Sequence, residues 1–160
     1  MFIVIIGVTD AGKSTVGRKL AKELAWPFFE GDDYHPVANI EKMAAGVALT
    51  DDDRKAWLGA LAEIIARESK LGNNGVLACS ALKRSYRAQL RGAGDVTFVH
   101  LQADRSVIRE RLRRRKGHFM NPALVDSQFA ILEEPKTAIV VDAALPTDEI
   151  IQSIRQALAL

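Results

Sequence analysis

Short runs of apolar residues alternate along the chain with longer segments in which apolar residues recur at helical spacing, as Trp57, Leu61 and Ile65 do. The short runs are continuously apolar, as in strands of a parallel sheet that helices cover on both faces. We predict strands at Phe2–Ile6, Phe28–Glu30, Val76–Cys79, Val96–Leu101 and Ala138–Asp142. We predict helices at Lys13–Leu24, Asp52–Ser69, Arg84–Arg91, Asp104–Arg114, Ala123–Leu132 and Thr147–Leu158. This order of elements indicates an α/β doubly wound fold.

Length and composition indicate one globular domain over residues 1–160, with 48% apolar residues available for a core. The net charge of +2 argues neither for nor against nucleic acid. No apolar run approaches the ~20 residues that span a bilayer, and the opening run Met1–Ile6 is too short for a signal peptide. The single cysteine, Cys79, cannot form an internal disulfide. We therefore expect a cytoplasmic protein in a reducing environment.

The segment after the first predicted strand matches the phosphate-binding pattern G-x-x-x-x-G-K-[S/T] in full. We expect the following residues to bind the nucleotide: Gly7, Val8, Thr9, Asp10, Ala11, Gly12, Lys13, Ser14 and the adjacent Thr15. Glycines let backbone N–H groups turn toward phosphates, and the following helix adds partial positive charge. We expect Lys13 to reach the β- and γ-phosphates and the Ser14 hydroxyl to bind Mg²⁺. Asp10 is unusual, because a carboxylate beside phosphate is unfavourable unless it points to solvent or pairs with a base.

Other classes of phosphate-loop protein are disfavoured. The N-K-x-D segment with which GTPases read guanine does not occur, and motor ATPases need a longer chain. A small kinase remains. Asp32 and Asp33 follow the second predicted strand, at the sheet edge where ligands bind. Asp32 can accept the proton of a substrate hydroxyl or orient that hydroxyl toward the γ-phosphate. The alternative is that both aspartates form a solvated turn.

Several motifs in register resemble the gluconate kinase family over nearly the whole chain. They are G-D-x-x-H-P from Gly31, N-I-x-K-M from Asn39, G-x-x-L from Gly46, D-D-D-R from Asp51, C-S-A-L-K from Cys79 with Tyr86 and Arg87, R-K-G-H-F from Arg115, and Gln128-Phe129. The clearest departure is Thr9-Asp10-Ala11, where the family more often has a serine- and glycine-rich triplet.

The resemblance implies a nucleoside-monophosphate-kinase-type fold, with a five-stranded parallel sheet and a lid at about 113–122. It also implies transfer of the γ-phosphoryl group of ATP, with Mg²⁺, to the terminal hydroxyl of gluconate. Two rivals stay open: a shikimate-type kinase of the same fold and a nucleotide-binding regulatory module. We expect a small-molecule partner, no nucleic acid and no membrane, and we leave a homodimer open.

Gluconate is a linear polyhydroxy carboxylate, so its site needs a cation for the carboxylate and polar groups for the hydroxyls. Arg54, Lys83 and Arg87 are candidate cations. His35 and Gln128 can hydrogen-bond hydroxyls. The alternatives are structural. Arg54 would neutralise the aspartates before it, and Lys83 and Arg87 would form a solvated helix face. His35 would cap a turn, and Gln128 would lie on the surface.

Seven basic residues against one acid, Glu110, lie between Arg105 and His118. Such a run is typical of a solvated face or of a nucleic-acid patch. In a chain with a phosphate loop it favours a basic lid that supplies an arginine to the transferring phosphoryl group. We assign that role to Arg115. By analogy, Arg111 lies against the adenine ring or the phosphates, while His118 borders the lid or is simply exposed.

Overall fold

The elements of the fold follow the apolar pattern of the sequence in a computed structural model, which describes residues 1–115 and 123–160. Its strands are β1 (Phe2–Ile6), β2 (Phe28–Glu30), β3 (Gly75–Ala78), β4 (Val96–Gln102) and β5 (Ile139–Asp142). Its helices are α1 (Lys13–Leu24), α2 (Val37–Ala44), α3 (Asp51–Lys70), α4 (Arg84–Arg91), α5 (Arg105–Arg114), α6 (Leu124–Ile131) and α7 (Thr147–Leu158). A short 3-10 turn at Gly31–Tyr34 follows β2.

The described strands form one parallel sheet in the order β2-β3-β1-β4-β5. The central strand β1 is buried at every position, and its Ile5 pairs with Ala78 of β3 and Val99 of β4. Because all strands run in one direction, the loops that follow β1, β2 and β3 open at the same edge of the sheet. That edge therefore holds both the phosphate loop and the turn that carries Asp32.

Two hydrophobic cores lie on opposite faces of the sheet, because successive side chains of a strand alternate between its faces. Ile3 and Ile5 of β1 pack into a core with α1 and α7. Phe2, Val4 and Ile6 pack into a second core with α3 and α4. Among the described residues, no helix has the length and apolar character needed to cross a membrane.

The predicted fold class is confirmed, and each predicted element is present to within one residue at either end. The sequence did not predict α2, and it offered a turn at Asp32 and Asp33 only as an alternative. Only Asn39 and Met43 of α2 are buried, while its apolar Val37 and Ile40 are exposed, so no apolar stripe marked this helix. The predicted lid at about 113–122, with His118, lies mostly outside the described residues.

Candidate active site

A cavity of about 430 Å³ opens where β1, β2 and β3 end. The phosphate loop lines one side. The other walls come from the turn after β2, the start of α3, the end of α5, part of α6 and the residues around the start of α7. Predicted site residues in the lining include Lys13, Ser14, Asp32, His35, Arg54, Arg111, Arg115 and Gln128. The fold thus brings together candidate nucleotide-binding and acceptor-binding groups that are far apart in the sequence.

The backbone of the phosphate loop suits an anion. Gly7 and Gly12 have positive φ angles of 151° and 95°, and a Cβ on Gly7 would lie 2.9 Å from the carbonyl oxygen of Leu101. The N–H groups of Gly12, Lys13 and Ser14 have no acceptor in the described ranges 1–115 and 123–160. Free N–H groups at a helix N-terminus carry partial positive charge. The loop therefore fits the phosphates of a nucleotide.

Lys13 lies folded against the loop, where its Nζ donates to the carbonyl of Val8 at 2.7 Å. Burial lowers the pKa of the Lys13 ammonium, and nearby negative charges, Asp32 foremost, oppose that shift. An ammonium has three N–H donors, so two stay available to phosphate oxygens. The half-buried Ser14 lines the same cavity, and its hydroxyl is a suitable ligand for Mg²⁺ there.

Side chains of two helices that are distant in the sequence hydrogen-bond to the backbone of the phosphate loop. Oε1 of Gln128, on α6, accepts from the backbone N–H of Thr9 at 2.6 Å. Arg111, on α5, donates to the carbonyls of Asp10 at 2.9 Å and Ala143 at 2.5 Å, which links the loop to the segment after β5. The sequence assigns Gln128 to the substrate and Arg111 to the nucleotide. Both line the cavity, and both also hold the loop in place.

Asp10 pairs with a base. Its side chain is only 3% exposed, and Oδ1 lies 2.5 Å from Nη1 of Arg115. Its φ of 56° is in the left-handed region, which aspartate tolerates better than most residues do. Of the two arrangements that the sequence allowed for this carboxylate, pairing is therefore the one in the structure.

Asp32 and His35, the candidate acceptor-binding residues, both line the cavity. Nε2 of His35 lies 4.0 Å from Oδ1 of Asp32, too far for a direct hydrogen bond. Two polar atoms at this distance can both contact a hydroxyl oxygen placed between them. Burial, together with the charge of Arg54, lowers the pKa of His35 to about 4, so the ring is neutral near pH 7.

Asn39 fixes the tautomer of His35. Its Nδ2 donates to the carbonyl of Asp53 at 2.8 Å and lies 3.3 Å from Nδ1 of His35. An amide nitrogen donates only, so Nδ1 is the acceptor and the ring proton is on Nε2. His35 therefore presents an N–H donor on the side of Asp32.

Trp57 contacts both the turn that carries Asp32 and the ring of His35. Its indole Nε1 donates to the carbonyl of Gly31 at 2.8 Å, and its ring stacks on His35 with centroids 4.4 Å apart and planes 12° from parallel. The helical pattern identifies Trp57 as a core residue of α3, which it is, but gives no sign of these contacts. This supporting role was not predicted.

The N-terminus of α3 places Arg54 at the cavity. Thr50 and Asp53 form a capping box, in which each side chain accepts from the other's backbone N–H at 3.1 and 2.9 Å. Nη1 of Arg54 donates to the carbonyl of Leu49 at 2.6 Å and to the hydroxyl of Tyr86 at 3.3 Å. Its Nε and Nη2 donate to no described residue. Among the described residues, Arg54 therefore forms no ion pair with the preceding aspartates, although its charge helps to lower the pKa of Asp51, and it keeps donors for a ligand.

Lys83 does not line the cavity. Its Nζ donates to Oδ1 of Asp51 at 2.9 Å, and the hydroxyl of Tyr86 donates to the same oxygen. These bonds hold the starts of α3 and α4 together. The structure thus gives Lys83 a position different from the substrate contact that the sequence suggested.

Arg87 also does not line the cavity, although it contacts Leu82, which does. It is 6% exposed, and its Nη1 donates to the carbonyls of Ala81 and Leu82, each at 2.9 Å. Its Nη2 donates to the carbonyl of Glu133 at 2.7 Å. Arg87 joins the loop before α4 to the segment after α6 and does not form a solvated face, while its contact with substrate stays a prediction. Lys83 precedes α4 and contacts Asp51, whereas Arg87 lies within the helix and contacts other segments, so their spacing of four residues did not predict their partners.

Comparison with known proteins gives consistent matches. A family model described as "Shikimate kinase" matches residues 10–159. A gluconokinase of Gluconobacter oxydans is 49% identical over 135 residues, which cover 84% of this chain and 76% of that protein. The crystal structure of a gluconokinase from Sinorhizobium meliloti is 42% identical with a TM-score of 0.89, covering 98% of this chain and 90% of that one. The unliganded crystal structure of a sugar kinase from Janibacter is 39% identical with a TM-score of 0.94, covering 99% and 94%. At this identity and coverage, the chain belongs to the gluconokinase family of P-loop kinases, built on a shikimate kinase-type domain.

Proposed function

We propose that this chain transfers the γ-phosphoryl group of ATP to the terminal hydroxyl of D-gluconate, giving 6-phospho-D-gluconate. The observation that carries the proposal is a single cavity that joins a complete phosphate loop to Asp32, His35 and Arg54. The names of relatives that match most of the chain support the same acceptor.

On the nucleotide side, the loop N–H groups and Lys13 hold the phosphates and stabilise charge that shifts during transfer. Ser14 would hold Mg²⁺, which when bound neutralises phosphate oxygens. Arg115, with donors left at Nε and Nη2, contacts the transferring phosphoryl group. Arg111 and Gln128 keep the loop in place for this reaction.

On the acceptor side, Asp32 accepts the proton of the attacking hydroxyl or orients that hydroxyl. Neutral His35 donates to a substrate hydroxyl through Nε2. Of the three predicted cations, Arg54 is the one that lines the cavity, so we assign the gluconate carboxylate to it. Its Nε and Nη2, which donate to no described residue, can each donate to one carboxylate oxygen.

A coupled ADP-release assay with gluconate, glucose and shikimate tests the acceptor. We expect kcat/KM for gluconate to exceed that for glucose by at least ~100-fold, because a neutral aldose leaves the half-buried charge of Arg54 without its partner. Arg54→Met should remove most of this preference by lowering activity on gluconate alone. Comparable kcat/KM for glucose and gluconate would contradict a sugar-acid kinase, and a preference for shikimate would replace gluconate as the acceptor.

We also propose a cytoplasmic location. Cys79 is the single cysteine of the sequence and is buried, and burial raises the pKa of its thiol to about 12. Such a thiol is unreactive and needs no disulfide partner, as suits a protein of a reducing compartment.

A further inference from the structure

Asp10 carries the one negative charge of the phosphate loop, which is the segment that binds the phosphates of a nucleotide. Its carboxylate is almost fully buried, and Oδ2 has no hydrogen-bond partner within the described ranges. A buried charge with an unsatisfied oxygen is costly. The backbone does not require an acid here, since glycine or asparagine also tolerates a φ of 56°. What the carboxylate binds is therefore the best explanation for its presence.

Two arginines one helical turn apart converge on Asp10. Arg111 donates to its backbone carbonyl at 2.9 Å and is anchored a second time at the carbonyl of Ala143. Arg115 donates from Nη1 to the Asp10 carboxylate at 2.5 Å, and its side chain is 54% exposed. Among residues 1–115 and 123–160, Asp10 provides the single side-chain contact that fixes the Arg115 guanidinium.

We propose that Asp10 is a positioning residue for Arg115. Its carboxylate holds the guanidinium beside the phosphate loop through Nη1 and leaves Nε and Nη2 for the transferring phosphoryl group. A guanidinium has five N–H donors in a planar fork, so it binds two anions on different edges at once. This inference rests on the proposed function, in which Arg115 contacts that group.

Pairing before the nucleotide binds has two effects. A mobile arginine would lose rotamer freedom during each turnover, and the ion pair removes that loss in advance. The pair also cancels the charge of Asp10, which would otherwise repel the phosphates. The opposite arrangement, in which Asp10 competes with the phosphoryl group for Arg115, predicts faster turnover once the carboxylate is removed.

Asp10→Asn tests whether the carboxylate raises or lowers kcat, because asparagine keeps the size of the side chain and tolerates the left-handed backbone. We expect kcat with ATP and gluconate to fall roughly 10- to 100-fold, the size of a lost charge-assisted contact. KM for gluconate should not change, and KM for ATP should stay the same or fall. A merely damaged loop would instead raise KM for ATP. Glu23→Gln, which removes the exposed carboxylate that pairs with Arg155 at 3.2 Å, is the control and should change neither constant.

A double-mutant cycle tests whether Asp10 acts through Arg115. The kcat of Asp10→Asn combined with Arg115→Ala should lie within about twofold of Arg115→Ala alone, because the positioned group is already absent. Losses that multiply, or a faster Asp10→Asn enzyme, would overturn the proposal.

Guanidinium ¹⁵N NMR of the nucleotide-free protein gives a readout that needs no turnover. Rotation of the Arg115 guanidinium, identified by its loss in Arg115→Ala, should be restricted in the wild type and free in Asp10→Asn. Free rotation in the wild type would overturn the pairing whatever acceptor the enzyme uses. Absence of gluconate turnover would overturn the proposed function instead, and the kinetic cycle would then use the acceptor that the panel identifies.

Discussion

Replacing Arg87 with methionine tests whether this arginine stabilises the fold rather than binding the substrate. The change removes donors from the carbonyls of Ala81, Leu82 and Glu133, at 2.9, 2.9 and 2.7 Å. Hydrogen bonds to charged groups contribute about 1.5–3 kcal/mol each, but burial of the guanidinium, which lowers its pKa, offsets part of that gain. We therefore expect the free energy of unfolding to fall by about 3–5 kcal/mol, out of the roughly 5–15 kcal/mol of a typical domain.

Urea unfolding followed by circular dichroism measures this loss. With an m-value of about 2 kcal/mol/M, the unfolding midpoint should fall by roughly 1.5–2.5 M. Arg84→Met, at the exposed first position of the same helix, should change the free energy of unfolding by less than about 0.5 kcal/mol. The folded Arg87→Met enzyme should keep its KM for gluconate. Wild-type stability together with a raised gluconate KM would refute this reasoning and return Arg87 to the acceptor site.

Two further predictions concern the cavity itself. Lys13→Ala should lower kcat by at least ~10³-fold in a folded protein, because the charge of Lys13 acts on the β- and γ-phosphates. The control Lys22→Ala, at an exposed position of the same helix, should leave kcat unchanged. A folded Lys13→Ala enzyme with near wild-type kcat would mean that the loop is not catalytic. Asn39→Ala should lower kcat/KM for gluconate roughly tenfold and leave KM for ATP unchanged, because His35 can then carry its proton on Nδ1. Equal losses of kcat/KM for gluconate and for ATP would show that Asn39 stabilises the fold instead.

The sequence predicted the sheet and its flanking helices well because continuous apolar runs such as β1 are buried on both faces and admit few other structures. It predicted the phosphate loop because the backbone geometry there depends on local glycines, Gly7 and Gly12. It did not predict α2, whose eight residues carry two buried side chains and hold their place through contacts with α3.

Contacts between distant parts of the chain were the main feature that the sequence did not predict. The position of Arg87 depends on Glu133, 46 residues away, so the spacing between Lys83 and Arg87 could not separate a substrate contact from a structural one. The partner of Asp10 lies 105 residues along the chain, and the sequence showed that a partner was needed without identifying it. Local pattern therefore identified the chemical groups, and tertiary packing decided which of them share the cavity.

The two cores on either face of β1 have a consequence for how such an enzyme can evolve. The helices of one core, α1 and α7, begin beside the nucleotide half of the cavity, and α3 of the other core carries Arg54 and Trp57. Substitutions in one core reach the other through the backbones of β1, β3 and β4, which carry side chains of both cores, and distant sites without shared partners have nearly additive effects. Mutation can thus repack the core under Arg54 and Trp57 without repacking the core behind the phosphate loop, although both cores contribute to the stability of one domain. Selection for a new acceptor then acts on one half of the domain at a time, which gives a single architecture access to many metabolites.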